Sequence, residues 1–301
     1  MNIIVVNQII VLTLMMMIGV VLRKLKIITD EVNKGFSSIL MNLTLPCMIV
    51  YSFNFEFSVE LLKNAVLILL YSIGIHIILI VLSKIAYIKF EDNKKTIYKF
   101  ATIFSNCGFV GYPIVQGIFG NIGVFYTSIF TIPFNIFMWS YGVMLFTGES
   151  DFKSIKKNLI NPPLICTFLG IIVFLFSLKL PQPVLNTIGS VGNMTTPISM
   201  FIVGSMLADV KLKDVFNGFD IYYLNFVKLI VAPFIVFLLL RFLKADKTLL
   251  YICVIMVAMP SASLIGVFSE KYNGDKLAAS KCAFLTTILS IITIPLIMSI
   301  V

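Results

Sequence analysis

Apolar runs about as long as a bilayer is thick recur from one end of this chain to the other. A helix needs ~20 consecutive apolar residues to cross the hydrocarbon core, and such runs occupy residues 3–22, 36–53, 61–83, 97–118, 122–146, 160–178, 185–207, 220–240, 248–269 and 281–300. Ten spans leave only short connections in 301 residues, so no separate soluble domain is expected. Composition agrees: 59% of the residues are hydrophobic and 12% charged, against ~25% charged in an average soluble domain. The expected fold class is an all-α integral membrane protein.

The net charge of +9 does not gather on one basic face suited to nucleic acid; Lys and Arg fall between the apolar runs and read as topology signals. With the N-terminus outside, 17 of the 23 Lys and Arg lie on inner connections and 5 on the outer side, leaving Lys228 within a span. The positive-inside rule favours that orientation, which puts both termini outside the cell membrane. Arg23, Lys24 and Lys26 follow the first apolar run instead of preceding it, so this run is expected to be an uncleaved span, not a signal peptide. The cysteines (Cys47, Cys107, Cys166, Cys253 and Cys282) lie in or beside apolar runs without CxxC spacing, and the chain has one His. That argues against a disulfide framework and a metal site, and no cofactor is expected.

The longest polar connection, GESDFKSIKKN at 148–158, divides the chain nearly in half. Across it, at an offset of 151, Gly19 matches Gly170 and Asn42-x-Thr44-x-Pro46 matches Asn193-x-Thr195-x-Pro197. Pro113 pairs with Pro260, and Thr131-Ile132-Pro133 with Thr293-Ile294-Pro295. The expected organisation is a first five-helix repeat at 1–147, an inner linker at 148–159 and a second repeat at 160–301. An odd number of spans per half inverts the second copy, a design associated with alternating-access transporters. A duplication that now serves only stability is the competing explanation.

Two spans read as broken helices, one carrying Ser105-Asn106-Cys107-Gly108-Phe109-Val110-Gly111-Tyr112-Pro113 and the other Ala258-Met259-Pro260-Ser261-Ala262-Ser263. Glycine frees the backbone and proline removes a donor, and unpaired backbone at that depth is tolerated only beside protein or a water-filled cavity. Helices restarting near Pro113 and Pro260 would aim their positive N-terminal ends at the membrane centre, where they attract anions. Asn106, Gly108, Gln116, Ser261 and Ser263 then become candidate substrate-binding residues, with Pro113 and Pro260 shaping the site. The alternative is that each proline merely kinks a packed helix. Asn42 and Asn193 could face the same cavity or satisfy backbone freed by the neighbouring prolines.

The runs SNCGFVGYP at 105–113, NLTLP at 42–46, NPPL at 161–164, and AMPSAS through EKYNGD between 258 and 275 occur in this order through essentially the whole chain. In this the chain resembles the auxin efflux carrier family, which includes plant PIN-type auxin carriers and bacterial organic-acid carriers. The resemblance implies a bile-acid-symporter-like, elevator-type architecture. Spans one, two, six and seven would form a scaffold, and spans three to five and eight to ten a mobile transport unit. It further implies two broken helices crossing at the substrate site, and a homodimer formed through the scaffold. The long inner loop of many plant members is absent. A compact bacterial carrier of malate- or malonate-like carboxylates is therefore expected rather than a carrier of plant auxin.

The carboxylates fall in connections or at span ends. No Asp stands beside Asn106, which disfavours a cation exchanger. The embedded ionisable groups are His76 and Lys228, both functional suspects by the cost of burying charge in a membrane. Lys228 could carry a substrate or coupling role, or snorkel toward the inner end. His76 could couple protons or simply pack. The sequence shows no Ser/His/Asp arrangement and no ligand cluster, so an enzyme is not expected. The function expected is alternating-access transport of small organic anions; an anion channel, or a sodium- or proton-coupled symporter of another organic solute, is the alternative.

Overall fold

The computed structural model describes residues 2–148, 160–209 and 218–301. The expected linker therefore lies, apart from Gly148, outside the described residues. In chain order the helices are α1 (Asn2–Lys24), α2 (Asp30–Ser52), α3 (Val59–Ala86), α4 (Asp92–Ile103), α5 (Cys107–Thr147), α6 (Pro162–Leu175), α7 (Gln182–Ala208), α8 (Phe219–Phe242), α9 (Lys247–Ala258), α10 (Leu264–Lys271) and α11 (Lys276–Ile300). No strand occurs among the described residues. Seven of these helices (α1, α2, α3, α5, α7, α8 and α11) are long and apolar enough to cross a membrane, and α6 and α9 are shorter apolar helices.

Local chemistry sets the helix starts. The side chains of Thr29, Ser58, Asn161, Asp246 and Asp275 each accept a backbone amide at the head of α2, α3, α6, α9 and α11, filling donors that the first turn leaves unpaired. Pro162 and Pro163 open α6, where a missing amide costs nothing. Gly120, at φ 60°, folds α5 into two arms, a conformation that glycine adopts without penalty. The boundary expected between the fourth and fifth spans falls here.

The two Asn-x-Thr-x-Pro runs both mark irregular turns. Residues Leu40–Thr44 form a π turn inside α2, and α7 is interrupted at Met194. Helices α1 and α7 approach closely because Gly19 meets the backbone of Phe201 and Gly204 the carbonyl of Met16. Where lipid solvates both helices, such small-residue contact supplies the association. The second part of α2 packs against α6 and the first part of α7, whereas α3 packs against α5, α8 against α9, and α10 against α11.

Candidate functional site

Helix α4 stops at Ile103 and α9 at Ala258. Their extended continuations cross as a short antiparallel bridge between Ser105 and Ser261. The Asn106 amide donates to the Pro260 carbonyl at 2.8 Å and the Ala262 amide to the Phe104 carbonyl at 2.9 Å. Each interrupted backbone thus satisfies the other, which is how non-helical chain survives among buried apolar helices.

The restart points differ from those the prolines suggested. The first arm of α5 begins at Cys107, six residues before Pro113, because Asn106 caps it: its side-chain oxygen accepts the Phe109 amide at 3.2 Å. Pro113 then lies inside the helix and cannot donate to the carbonyl four residues back. That carbonyl, on Phe109, instead accepts the hydroxyl of Ser199 from α7. Past Pro260, the helix resumes at Leu264, so Pro260 belongs to the crossing strand itself.

Two cavities flank the crossover. One, of about 300 Å³, is lined by Ser105, Asn106, Cys107, Gly108, Ala262 and Ser263, with Tyr112, Thr131, Asn135, Trp139 and Asn161 among the polar and aromatic groups around it. The other, of about 260 Å³, is bounded by Asn106, Ser263, Gly266, Glu270, Lys276, Ser280 and Thr287. Asn106 and Ser263 line both, and the Asn106 amide nitrogen donates to the Ser263 hydroxyl at 2.9 Å. This bond is the partition between the cavities. The Gly108 amide has no hydrogen-bond partner among the described residues, and open space lies where a side chain would be.

Asn106, Gly108 and Ser263 therefore come together, and other expected residues do not join them. Ser261 is turned away: its hydroxyl lies 2.7 Å from that of Thr286, its amide donates to the same oxygen, and it is buried. Gln116 lies at the far end of the first arm of α5, where it accepts from Thr196 at 3.0 Å and reaches Asn193 at 3.5 Å. The Asn42 side chain donates back to the Ser38 carbonyl at 2.9 Å and is exposed, so it satisfies backbone. The hydroxyls of Thr44 and Thr195, matched by the repeat, are buried without a partner among the described residues.

Both embedded ionisable groups are buried. His76 donates from Nδ1 to the Ser72 carbonyl at 2.6 Å and stacks on Phe137 at 5.4 Å between centroids; it lines neither cavity. Lys228 does not snorkel. It is fully buried, and its Nζ donates to Ser105 Oγ at 2.6 Å and to the carbonyls of Thr102 and Val257 at 3.3 Å each. Ser105, Trp139 and Asn135 are cavity residues that sequence reasoning did not single out; Ser105 was visible only as the first letter of the glycine-rich run.

The profile of a family described as "Membrane transport protein" matches this chain twice, over residues 4–152 and 146–298. The chain belongs to this family. The resemblance to auxin efflux carriers is thereby borne out, and the family profile matches the chain as two successive repeats. An uncharacterised transporter of Methanocaldococcus jannaschii is 25% identical over 301 residues, covering 96% of each chain. Another from Methanothermobacter thermautotrophicus is 28% identical over 199 residues, 65% of each chain. A Rhizobium meliloti protein named "Putative malonate transporter" is 26% identical over 140 residues, 46% of this chain and 43% of its own length.

Proposed function

We propose that this membrane transport protein carries small organic anions, mono- or dicarboxylates, with the carboxylate bound at the crossover between Asn106 and Ser263. The observation that carries this reading is the shared wall: one neutral hydrogen bond separates two cavities at the starts of two helices. An anion entering there exchanges the Asn106–Ser263 bond for bonds from both side chains and from the free Gly108 amide. Helix starts favour negative charge, and hydrogen bonds to a charged group are worth about twice neutral ones. The cavity is at the small end of the ~300–1,000 Å³ usual for ligand sites, which suits a short carboxylate. The name of the Rhizobium relative agrees with this class and makes malonate the first probe.

In the same reading the protein comprises ten spans in two inverted five-helix repeats, with α1, α2, α6 and α7 as scaffold and the remaining helices as the moving unit. The pairing of α1 with α7 and of α2 with α6 and α7 supports this division. The hydrogen bonds Ser199 to Phe109 and Gln116 to Thr196 are then among the contacts between the two units, together with the packing of α1 and α2 on α5 and of α1 on α11. The carrier acts in the cell membrane with both termini outside, as a homodimer through the scaffold. Single cysteines replacing Lys89 and Lys179 are expected to react with an impermeant thiol reagent from opposite sides; reaction from one side would contradict the inverted arrangement. The function is tested by flux of mono- and dicarboxylates into proteoliposomes, with pH and sodium gradients varied separately. Saturable uptake of at least one carboxylate is expected, and flux that never saturates would favour a channel.

A further inference from the structure

We propose that Lys228 is a built-in cation of the crossover, a positioning residue that neutralises the carbonyl ends of both broken helices and leaves their partners' amide starts free for an anion. The inference deepens the anion-carrier reading and rests on it for its consequence in transport.

Thr102 is the penultimate residue of α4 and Val257 the penultimate residue of α9, and the same ammonium takes the carbonyl of each. The third proton goes to Ser105 Oγ, on the crossing strand itself. An ammonium has three donors, and each meets one neutral oxygen. Lys228 makes no ion pair among the described residues. The charge has another counterpart: each helix C-terminus carries the equivalent of roughly −0.5 elementary charge, so the two ends together nearly balance one ammonium.

The side chain is delivered there by a π turn at Val227–Val231 within α8, two residues before Pro233. Such wide turns inside helices recur at functional positions. Two negative ends meeting in an apolar interior would otherwise need a bound metal cation, since small hard cations take oxygen ligands such as carbonyls and hydroxyls. With Lys228 in place, transport needs no sodium at this point. Ser105, held by Lys228 on one side, lines the larger cavity on the other, so the charge stands one residue behind the proposed carboxylate.

The test compares salts. Purified wild type, Lys228→Gln and Lys228→Met proteins are melted in detergent in sodium, lithium, potassium and choline chloride. Wild type is expected to melt at one temperature in all four. The variants are expected to melt lower in choline and to regain a few degrees in at least one small-cation salt, as a metal ion takes the three freed oxygens. A merely space-filling lysine would show no such cation-specific recovery, and equal melting of both variants in every salt overturns the proposal. A wild type whose melting temperature or malonate flux rises when choline is replaced by sodium also overturns it, and that arm requires no variant to fold. The melting arms need no transported solute. Wild type that moves no carboxylate therefore counts against the carrier reading alone and leaves the salt comparison intact.

Discussion

The carbonyl ends of α4 and α9 and the amide starts of α5 and α10 lie back to back at the crossover, yet different chemistry serves them. On the carbonyl side the amine of Lys228 is buried among three acceptors, of which Ser105 alone borders a cavity. On the amide side neutral groups, Asn106, Ser263 and the Gly108 amide, face two cavities. The difference teaches that, in the proposed carrier, the buried amine serves the fold while the side proposed for the ligand is lined by neutral donors. A buried ammonium in direct contact with an anion would hold it tightly, whereas neutral donors bind through weaker bonds that are more easily exchanged.

Removing a donor on the amide side should have the largest effect on binding. Asn106→Ala deletes one hydrogen bond to a charged ligand, worth about 1.5–3 kcal/mol, so affinity for the transported carboxylate should fall by about 10- to 150-fold. Concentration dependence of uptake, normalised to inserted protein, measures this. Wild-type affinity in the variant would move the site away from the partition.

Ser261→Ala sharpens the comparison, because Ser261 is the mirror of Ser105 in the bridge but bonds to Thr286 inside the fold. Its loss should cost about 0.5–1.5 kcal/mol of stability, seen as a lower melting temperature, with affinity unchanged. A large affinity loss without destabilisation would place Ser261 in the cavity after all. The smallest effect is expected from His76→Gln. His76 is held by the Ser72 carbonyl and by aromatic rings, away from both cavities, so the pH dependence of uptake should not change. If that dependence disappears, His76 is a coupling residue rather than a packing one.

Much of this was legible in the sequence. Apolar run length announces membrane helices, the offset matches announce two halves, and glycine and proline announce the breaks. The exact restart of α5 was not legible, because it depends on which side chain captures the first amide. Asn106 does so, and Pro113 becomes an interior residue whose missing donor is answered by Ser199 from the other half of the chain. Lys228 was visible only as an expensive residue in an apolar run. Its partners come from two distant stretches, Thr102 and Ser105 from one and Val257 from the other, and nothing local in sequence brings Lys228, Ser105 and Val257 to one point. Gln116 and Asn193 resemble ligand donors by type, but they bond to each other and to Thr196 outside the cavities.

The most direct test of the anion at the partition is substrate protection of a cysteine placed there. In a protein whose native cysteines Cys47, Cys107, Cys166, Cys253 and Cys282 are replaced, Ser263→Cys is reacted with a small maleimide, with and without the transported carboxylate. The carboxylate is expected to slow labelling in proportion to its occupancy, and the corresponding uncharged amide to leave it unchanged. Labelling at the same rate with saturating carboxylate, in a variant that still transports it, would contradict the account.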